Sequence, residues 1–311
     1  MVKRSNSEIR KLDDAARAGW LYYVAGKTQE EIAKKLNISR QSAQRLVALS
    51  VSEGLIKVRL EHPIAKCMDL KVKLKERFGL QFCRVVPSDD DPSSTLGLAQ
   101  TGASVIEQHL RSTQPQVLAM GTGRVLRACV NELSSLNGEQ HKIVGMLGNM
   151  TSNGSASSFD VVMHMAEHIK AEHYPMPLPV LSSSKEEKEQ LHSQHYIANN
   201  LKLTEQADVT FVGIGNLGLN SPLHIDGFIT KKELEELLKQ GAVGEMISWV
   251  FDCAVNERVT STPLKENSDE PVYAIAAGKE KVLAILGALR SKLINGLITS
   301  EYTAERLLSI D

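Results

Sequence analysis

The sequence predicts an α/β protein: a small helix-turn-helix head joined to a larger domain built on a mostly parallel sheet. Three observations carry this expectation. Residues 28–50, TQEEIAKKLNISRQSAQRLVALS, hold two capped amphipathic segments separated by a tight turn. From residue 82 onward, Val/Ile/Leu-rich runs alternate with helical segments, the pattern of βα units and a parallel sheet. The charge is also divided, since residues 1–60 carry twelve Lys/Arg against six Asp/Glu in a chain whose net charge is −1. At 311 residues the chain exceeds one typical domain, and we expect a head over residues 1–60 and a body over 61–311.

The head begins with a predicted helix at residues 13–25, DDAARAGWLYYVA, offering Ala16, Trp20, Leu21 and Val24 for packing. Thr28 with Glu31 three residues on is a capping box, and Ile32, Ala33 and Leu36 share one face of the helix it starts. Asn37 suits a left-handed turn, and Ser39 is a good N-cap for a second helix burying Ala43, Leu46 and Val47. The outward face of that second helix carries Arg40, Gln41, Gln44 and Arg45, flanked by Ser39 and Ser42. Arg bidentate to guanine and Gln bidentate to adenine are the pairings the major groove rewards. Together with Thr28 and Gln29 at the start of the first helix, these residues are the candidate DNA-contacting set, and the excess of basic charge suits a phosphate backbone. Gly54 stops the helix, residues 55–60 (LIKVRL) read as the strand of a small wing, and Pro63 interrupts the chain.

In the body, residues 64–78 read as an amphipathic helix, residues 82–87 as a strand, 88–94 as a loop and 95–111 as a helix. Strands QVLAMG, HKIVGMLG, PLPVL and ADVTFVGIG follow, with helices from Arg124, Phe159 and Lys185 between them. PVYAIAAG, residues 271–278, is a late strand, and residues 280–310 read as a final pair of helices.

Three glycine-bearing strand ends are candidate binding loops. Gly121-Thr122-Gly123-Arg124 closes a strand and opens a helix, bringing free N–H groups, a hydroxyl and a guanidinium together as an anion site. Residues 213–218 match GxGxxG, but Asn220, Ser221 and Pro222 follow where a dinucleotide-binding helix would open, so the loop reads as a pocket edge. Lys279 and Lys281 follow the Ala277-Gly278 turn at the start of a helix. His164, Glu167 and His168 formally read HxxEH, yet they border an apolar helical stripe and have no evident third ligand, so no metal or other cofactor is expected. Cys67, Cys83, Cys129 and Cys253 match no zinc spacing and read as reduced thiols. No apolar run approaches the ~20 residues of a membrane span and the N-terminus resembles no signal peptide, so a cytoplasmic protein is expected.

The stretches TQEEIAKKLNISRQSAQRL, SEGLIKV, MGTGRVL, DVTFVGIGNLG, GAVGEMISWVFD, NERV and AIAAGKEKVLAILGALRSKLINGLITSEYTAERLL resemble the SorC-type sugar-responsive transcriptional regulators, within the broader DeoR-like group. The resemblance covers nearly the whole chain. It implies a winged helix-turn-helix, an effector domain with the fold of sugar-phosphate isomerases, assembly as a homodimer or homotetramer, and a double-stranded operator as partner. It also implies a sugar, polyol or phosphorylated sugar as effector. Gly121, Thr122, Gly123 and Arg124 would meet its phosphate or sugar with Lys281 opposite, while Gly215, Asn216, Glu245 and Asp252 contact hydroxyls. Two other readings stand beside this one: a sugar-phosphate isomerase-like enzyme with Glu245 or Asp252 as general base, and a body serving only as an oligomerisation scaffold.

Overall fold

A computed structural model describes residues 6–57, 65–88, 95–150, 155, 160–225, 229–247, 249–250, 257–263 and 265–310. The chain divides into two units, Met1–His62 and Pro63–Asp311.

In the first unit, α1 spans Asn6–Tyr23, α2 Gln29–Leu36 and α3 Arg40–Ser52. Helix α1 starts earlier than the sequence reading placed it and buries a different face. Ala15, Ala18 and Leu21 are buried, whereas Trp20 and Val24, expected to pack, are 54% and 64% exposed. The reason is a close crossing of α1 over α3. A Cβ on Gly19 would lie 2.3 Å from Ser50 Oγ and 2.7 Å from Ile56 Cγ1, so small residues line the contact and the large ones are turned outward. Ala18 and Leu21 meet Ile32, Ala33, Ala43 and Val47 in one core. The expected wing strand is not formed at residues 55–57. Ile56 instead folds back, its N–H donating to Ser50 O at 2.9 Å, and residues 58–60 lie outside the described part.

The second unit opens with α4, Ala65–Phe78, and β1, Phe82–Val86. Then come α5 (Leu96–Leu110), β2 (Val117–Met120), α6 (Arg124–Asn131), β3 (Lys142–Met150), α7 (Val162–Ile169) and β4 (Glu172–Pro179). Helices α8 (Lys185–His192) and α9 (His195–Glu205) lead to β5, Val209–Val212. Short elements follow: β6 (Gly215–Asn216), α10 (Pro222–Ile225), α11 (Lys231–Lys239), β7 (Gly244–Met246) and β8 (Trp249–Val250). Strand β9 is Val272–Ile275, a 3-10 turn covers Lys279–Lys281, and α12 (Val282–Arg290), β10 (Gly296–Ser300) and α13 (Glu301–Ser309) complete the chain.

Seven strands form one parallel sheet in the order β1-β10-β9-β5-β2-β3-β4. Parallel crossovers are right-handed, so their direction along the sheet decides which face each helix covers. The steps β1 to β2 to β3 to β4 all run toward one edge, and α5, α6 and α7 share a core with Leu118, Met120, Ile143 and Phe211 on one face. The step from β9 to β10 runs the other way, and α12, with α4 and α13, packs on Ala119, Val144, Val212 and Ala274 of the opposite face. Both faces are covered, which explains the near-continuous apolar strands.

Two features depart from the sequence reading. Residues 280–310 are not a pair of helices only: GLITS forms β10, inserted between β1 and β9 in the interior of the sheet. Leu297 packs into one core and Ile298 into the other, the alternation a strand requires. The chain after β5 also forms a small antiparallel sheet, β6-β7-β8, that the sequence reading did not anticipate.

Because Ile298 is fully buried in an interior strand, Ile298→Ala removes packing that neighbours cannot refill. We expect a loss of about 2–5 kcal/mol in the unfolding of the body, measured by denaturant titration. A loss below about 1 kcal/mol would place β10 outside the core.

Candidate functional site

In the head, the helix pair is held by the predicted caps. Thr28 accepts from Glu31 N and its own N–H donates to Glu31 Oε2 at 2.8 Å, and this bonding holds the Glu31 carboxyl at about 2. Asn37 turns the chain in the left-handed region at φ 54°. Ser39 caps α3 by accepting from Ser42 N at 3.1 Å, and the two hydroxyls lie 2.9 Å apart, so both serve the helix start. Arg40, Gln41, Gln44 and Arg45 are all exposed on α3. Thr28 and Gln29 stand at the start of α2, where N–H groups suit a phosphate.

In the body, the sheet order reverses between β5 and β2. From β2 the chain builds outward through β3 and β4; it then returns to place β5 on the other side of β2. At such a switch point the strand ends leave a crevice, the usual binding position in open α/β sheets. A cavity of about 150 Å³ lies there, roughly ten times what one water needs. It is lined by Met120 at the end of β2 and Gly121–Leu126 beyond it, by Gly145, Leu147, Gly148 and Asn149 of β3, and by Gly213–Gly215 beyond β5. Ile275 of β9, Lys281, Glu245 and Ile247 close one side, and Asp160, Val161, Met176 and Val180 another.

Two glycine turns precede lining residues, Gly123 just before Arg124 and Gly278 three residues before Lys281. Gly123 has φ 118° and ψ 167°, and Gly278 has φ 122° and ψ 150°. Both values fall in a region essentially restricted to glycine. Each turn aims a helix or 3-10 start at the strand ends, with Gly123 as N-cap of α6 and Gly278 before Lys279–Lys281. Gly215 is needed for a different reason: a Cβ there would lie 2.0 Å from Glu245 Oε1, the residue paired with it across β6 and β7.

Of the nine effector residues expected from the sequence, the cavity brings together Gly121, Thr122, Gly123, Arg124, Gly215, Glu245 and Lys281. Asn216, next on β6, is half-buried but outside the cavity wall, and Asp252 lies outside the described residues. Lys279 is exposed, whereas Lys281 is half-buried. Burial depresses the Lys281 pKa, opposed by the carboxylate of Glu245 and reinforced by the charge of Arg124. Sequence reasoning missed Asn149 and Asp160, which sit on the wall near the end of β3 and just before α7. The two histidines of the HxxEH pattern are engaged separately: His164 Nε2 lies 2.7 Å from Asn131 Oδ1 and His168 Nε2 3.0 Å from Leu133 O. Cys67, Cys83 and Cys129 are free and buried, with burial pushing the Cys83 and Cys129 thiols up to about 12. No helix among the described residues is long and apolar enough to cross a membrane.

A lysine whose pKa falls on folding costs stability where it is charged in both states, and the cost fades as the pH rises through its folded pKa toward the ordinary 10.5. Lys281→Met therefore raises the melting temperature of the ligand-free protein at pH 7, and the gain shrinks as the pH approaches 10.5. A loss at pH 7 would mean that attraction to Glu245 outweighs desolvation.

Comparison with known proteins agrees with this architecture. Residues 62–309 match a family model described as "Putative sugar-binding domain". The erythritol catabolism regulatory protein EryD of Brucella abortus is 32% identical over 94% of this chain and 96% of its own length. The transcriptional regulator LsrR of an Enterobacter species is 29% identical over 95% and 92% of the two chains. Among solved structures, the full-length sorbitol operon regulator SorC of Klebsiella pneumoniae superposes with a TM-score of 0.71 at 24% identity. That match covers 96% of this chain and 99% of SorC, and at this identity it speaks for the fold. With a sugar-binding family model across the body and an EryD-like sequence along nearly its whole length, the chain belongs to the SorC-type family of sugar-binding transcriptional regulators.

Proposed function

We propose that this protein binds a double-stranded operator through α3 and regulates a carbohydrate or polyol catabolic operon in response to a small effector. The effector is a sugar, polyol or sugar phosphate held at the β2/β5 switch point. The observation that most supports this reading is the convergence of the Gly121–Arg124 loop, Gly215, Glu245 and Lys281 on one cavity. Backbone N–H groups, a guanidinium and an ammonium suit an anionic group, and Glu245 suits hydroxyls. A four-carbon polyol or its phosphate is the first class to test, since the relative EryD is named for erythritol catabolism. The body binds this ligand rather than converting it.

The effector changes operator affinity only if it binds the DNA-competent and incompetent states unequally, and couplings of ~1–3 kcal/mol correspond to roughly 5- to 150-fold. One helix-turn-helix offers a small interface, so the protein acts as a homodimer or homotetramer on half-sites spaced by ~10 bp or a multiple.

A thermal-shift screen of sugars, polyols and their phosphates tests the ligand class, and absence of any stabilising compound would remove it. For DNA, Gln44→Ala or Arg45→Ala should each cost about 1–3 kcal/mol at a matched operator, with effector affinity unchanged. Operator selectivity preserved in the double variant would exclude α3 as the reader.

A further inference from the structure

The cavity has two chemically different ends. Along the sheet, β9 leads to Lys281, β5 to Gly213–Gly215, β2 to Gly121–Arg124, and β3 to Asn149. Three strand spacings separate β9 from β3, ~14 Å between axes. Arg124, beyond β2, and Lys281, beyond β9, lie close enough to influence one another, and with the Glu245 carboxylate beside Lys281 the two cations against one anion leave this part of the cavity net positive. At the far end stand Asn149 and Asp160, both on the cavity wall.

Asp160 is held in place from several directions. Its Oδ2 accepts from Asn149 Nδ2 at 3.1 Å and its Oδ1 from Met163 N at 3.2 Å. Its backbone carbonyl accepts from Arg127 Nη1 at 2.8 Å, which ties it to α6. A carboxylate offers about four acceptor sites, and these bonds occupy two of them among the described residues. It accepts and does not donate when ionised, so it recognises hydroxyl groups and repels a phosphate.

Resting on the effector reading above, we propose that Asp160, oriented by Asn149, is the specificity determinant for the hydroxyl-bearing end of the ligand. The ligand it fits is an elongated polyol or open-chain sugar carrying at most one anionic group, seated toward Arg124 and Lys281. Its opposite terminal carbon bears a hydroxyl that donates to Asp160. A ligand phosphorylated at both ends is disfavoured, because the second phosphate would face a carboxylate.

Asp160 also caps the start of α7 through Met163 N, so a fold effect must be separated from ligand reading. Asp160→Asn keeps an acceptor for that bond while removing the charge. The experiment is calorimetric titration of wild type and Asp160→Asn with a tetritol monophosphate and with its analogue deoxygenated at the unphosphorylated terminal carbon. In the wild type, loss of that hydroxyl should weaken binding roughly tenfold or more, the range of a hydrogen bond to a charged group. In Asp160→Asn that discrimination should fall to near threefold or less, with the melting temperature close to wild type. Equal discrimination in the two proteins overturns the assignment, and so does an equal weakening of both probes by the substitution, the mark of a purely structural role. If the wild type binds neither probe but another compound from the screen stabilises it, the one-phosphate polyol assignment falls while the effector reading stands. If nothing binds, both fall.

Discussion

The site depends on one topological constraint: strand β2 has β3 on one side and β5 on the other, and the chain reverses its direction of travel between them. Right-handed crossovers then commit α5, α6 and α7 to one face and α12 to the other. The strand ends part where the two sets diverge. Burial of Leu118 and Met120 on one face and Ala119 on the other holds β2 rigid just before Gly121. The cavity is thus a consequence of how the sheet is wound, and the loops refine it.

What the loops add is charge under partial desolvation. Gly123 and Gly278 adopt conformations other residues resist; Arg124 at the start of α6 and Lys281 at the end of the 3-10 turn follow them into the cavity wall. Lys281 is held there at a cost in its own pKa, with Glu245 only partly compensating. Desolvation of this kind is a cost that an opposite charge beside the ammonium would offset. The clefts of functional sites tend to concentrate groups perturbed in this way.

The head was legible because its signals are local. Thr28 with Glu31, Asn37 and Ser39 each act within four residues, and the structure places them as the spacing implies. Trp20 misled because burial on α1 is decided by the close approach at Gly19, which no single-helix pattern reveals. In the body the glycine-ended strands announced themselves, and seven of the nine expected residues meet in one cavity. Strand β10 was hidden because a five-residue run, GLITS, with Leu297 and Ile298 its only large apolar residues, is too short between two helices to show a period. Gly296 and the β-branched pair Ile298 and Thr299 were its signal. The β6-β7-β8 sheet was illegible because strands of two or three residues exist only through their partners. Asp160 escaped notice because the bonds that hold it come from Asn149 and Arg127, 11 and 33 positions away in the chain.

A regulator of this kind works only if the two ligands share one equilibrium. Linkage requires that the factor by which effector changes operator affinity equal the factor by which operator changes effector affinity. The most direct measurement closes that cycle: operator affinity by fluorescence anisotropy with and without saturating effector, and effector affinity by calorimetry with and without saturating operator. The account predicts the same factor from both arms, roughly 5- to 150-fold. An effector that binds the cavity tightly yet leaves operator affinity unchanged would contradict it.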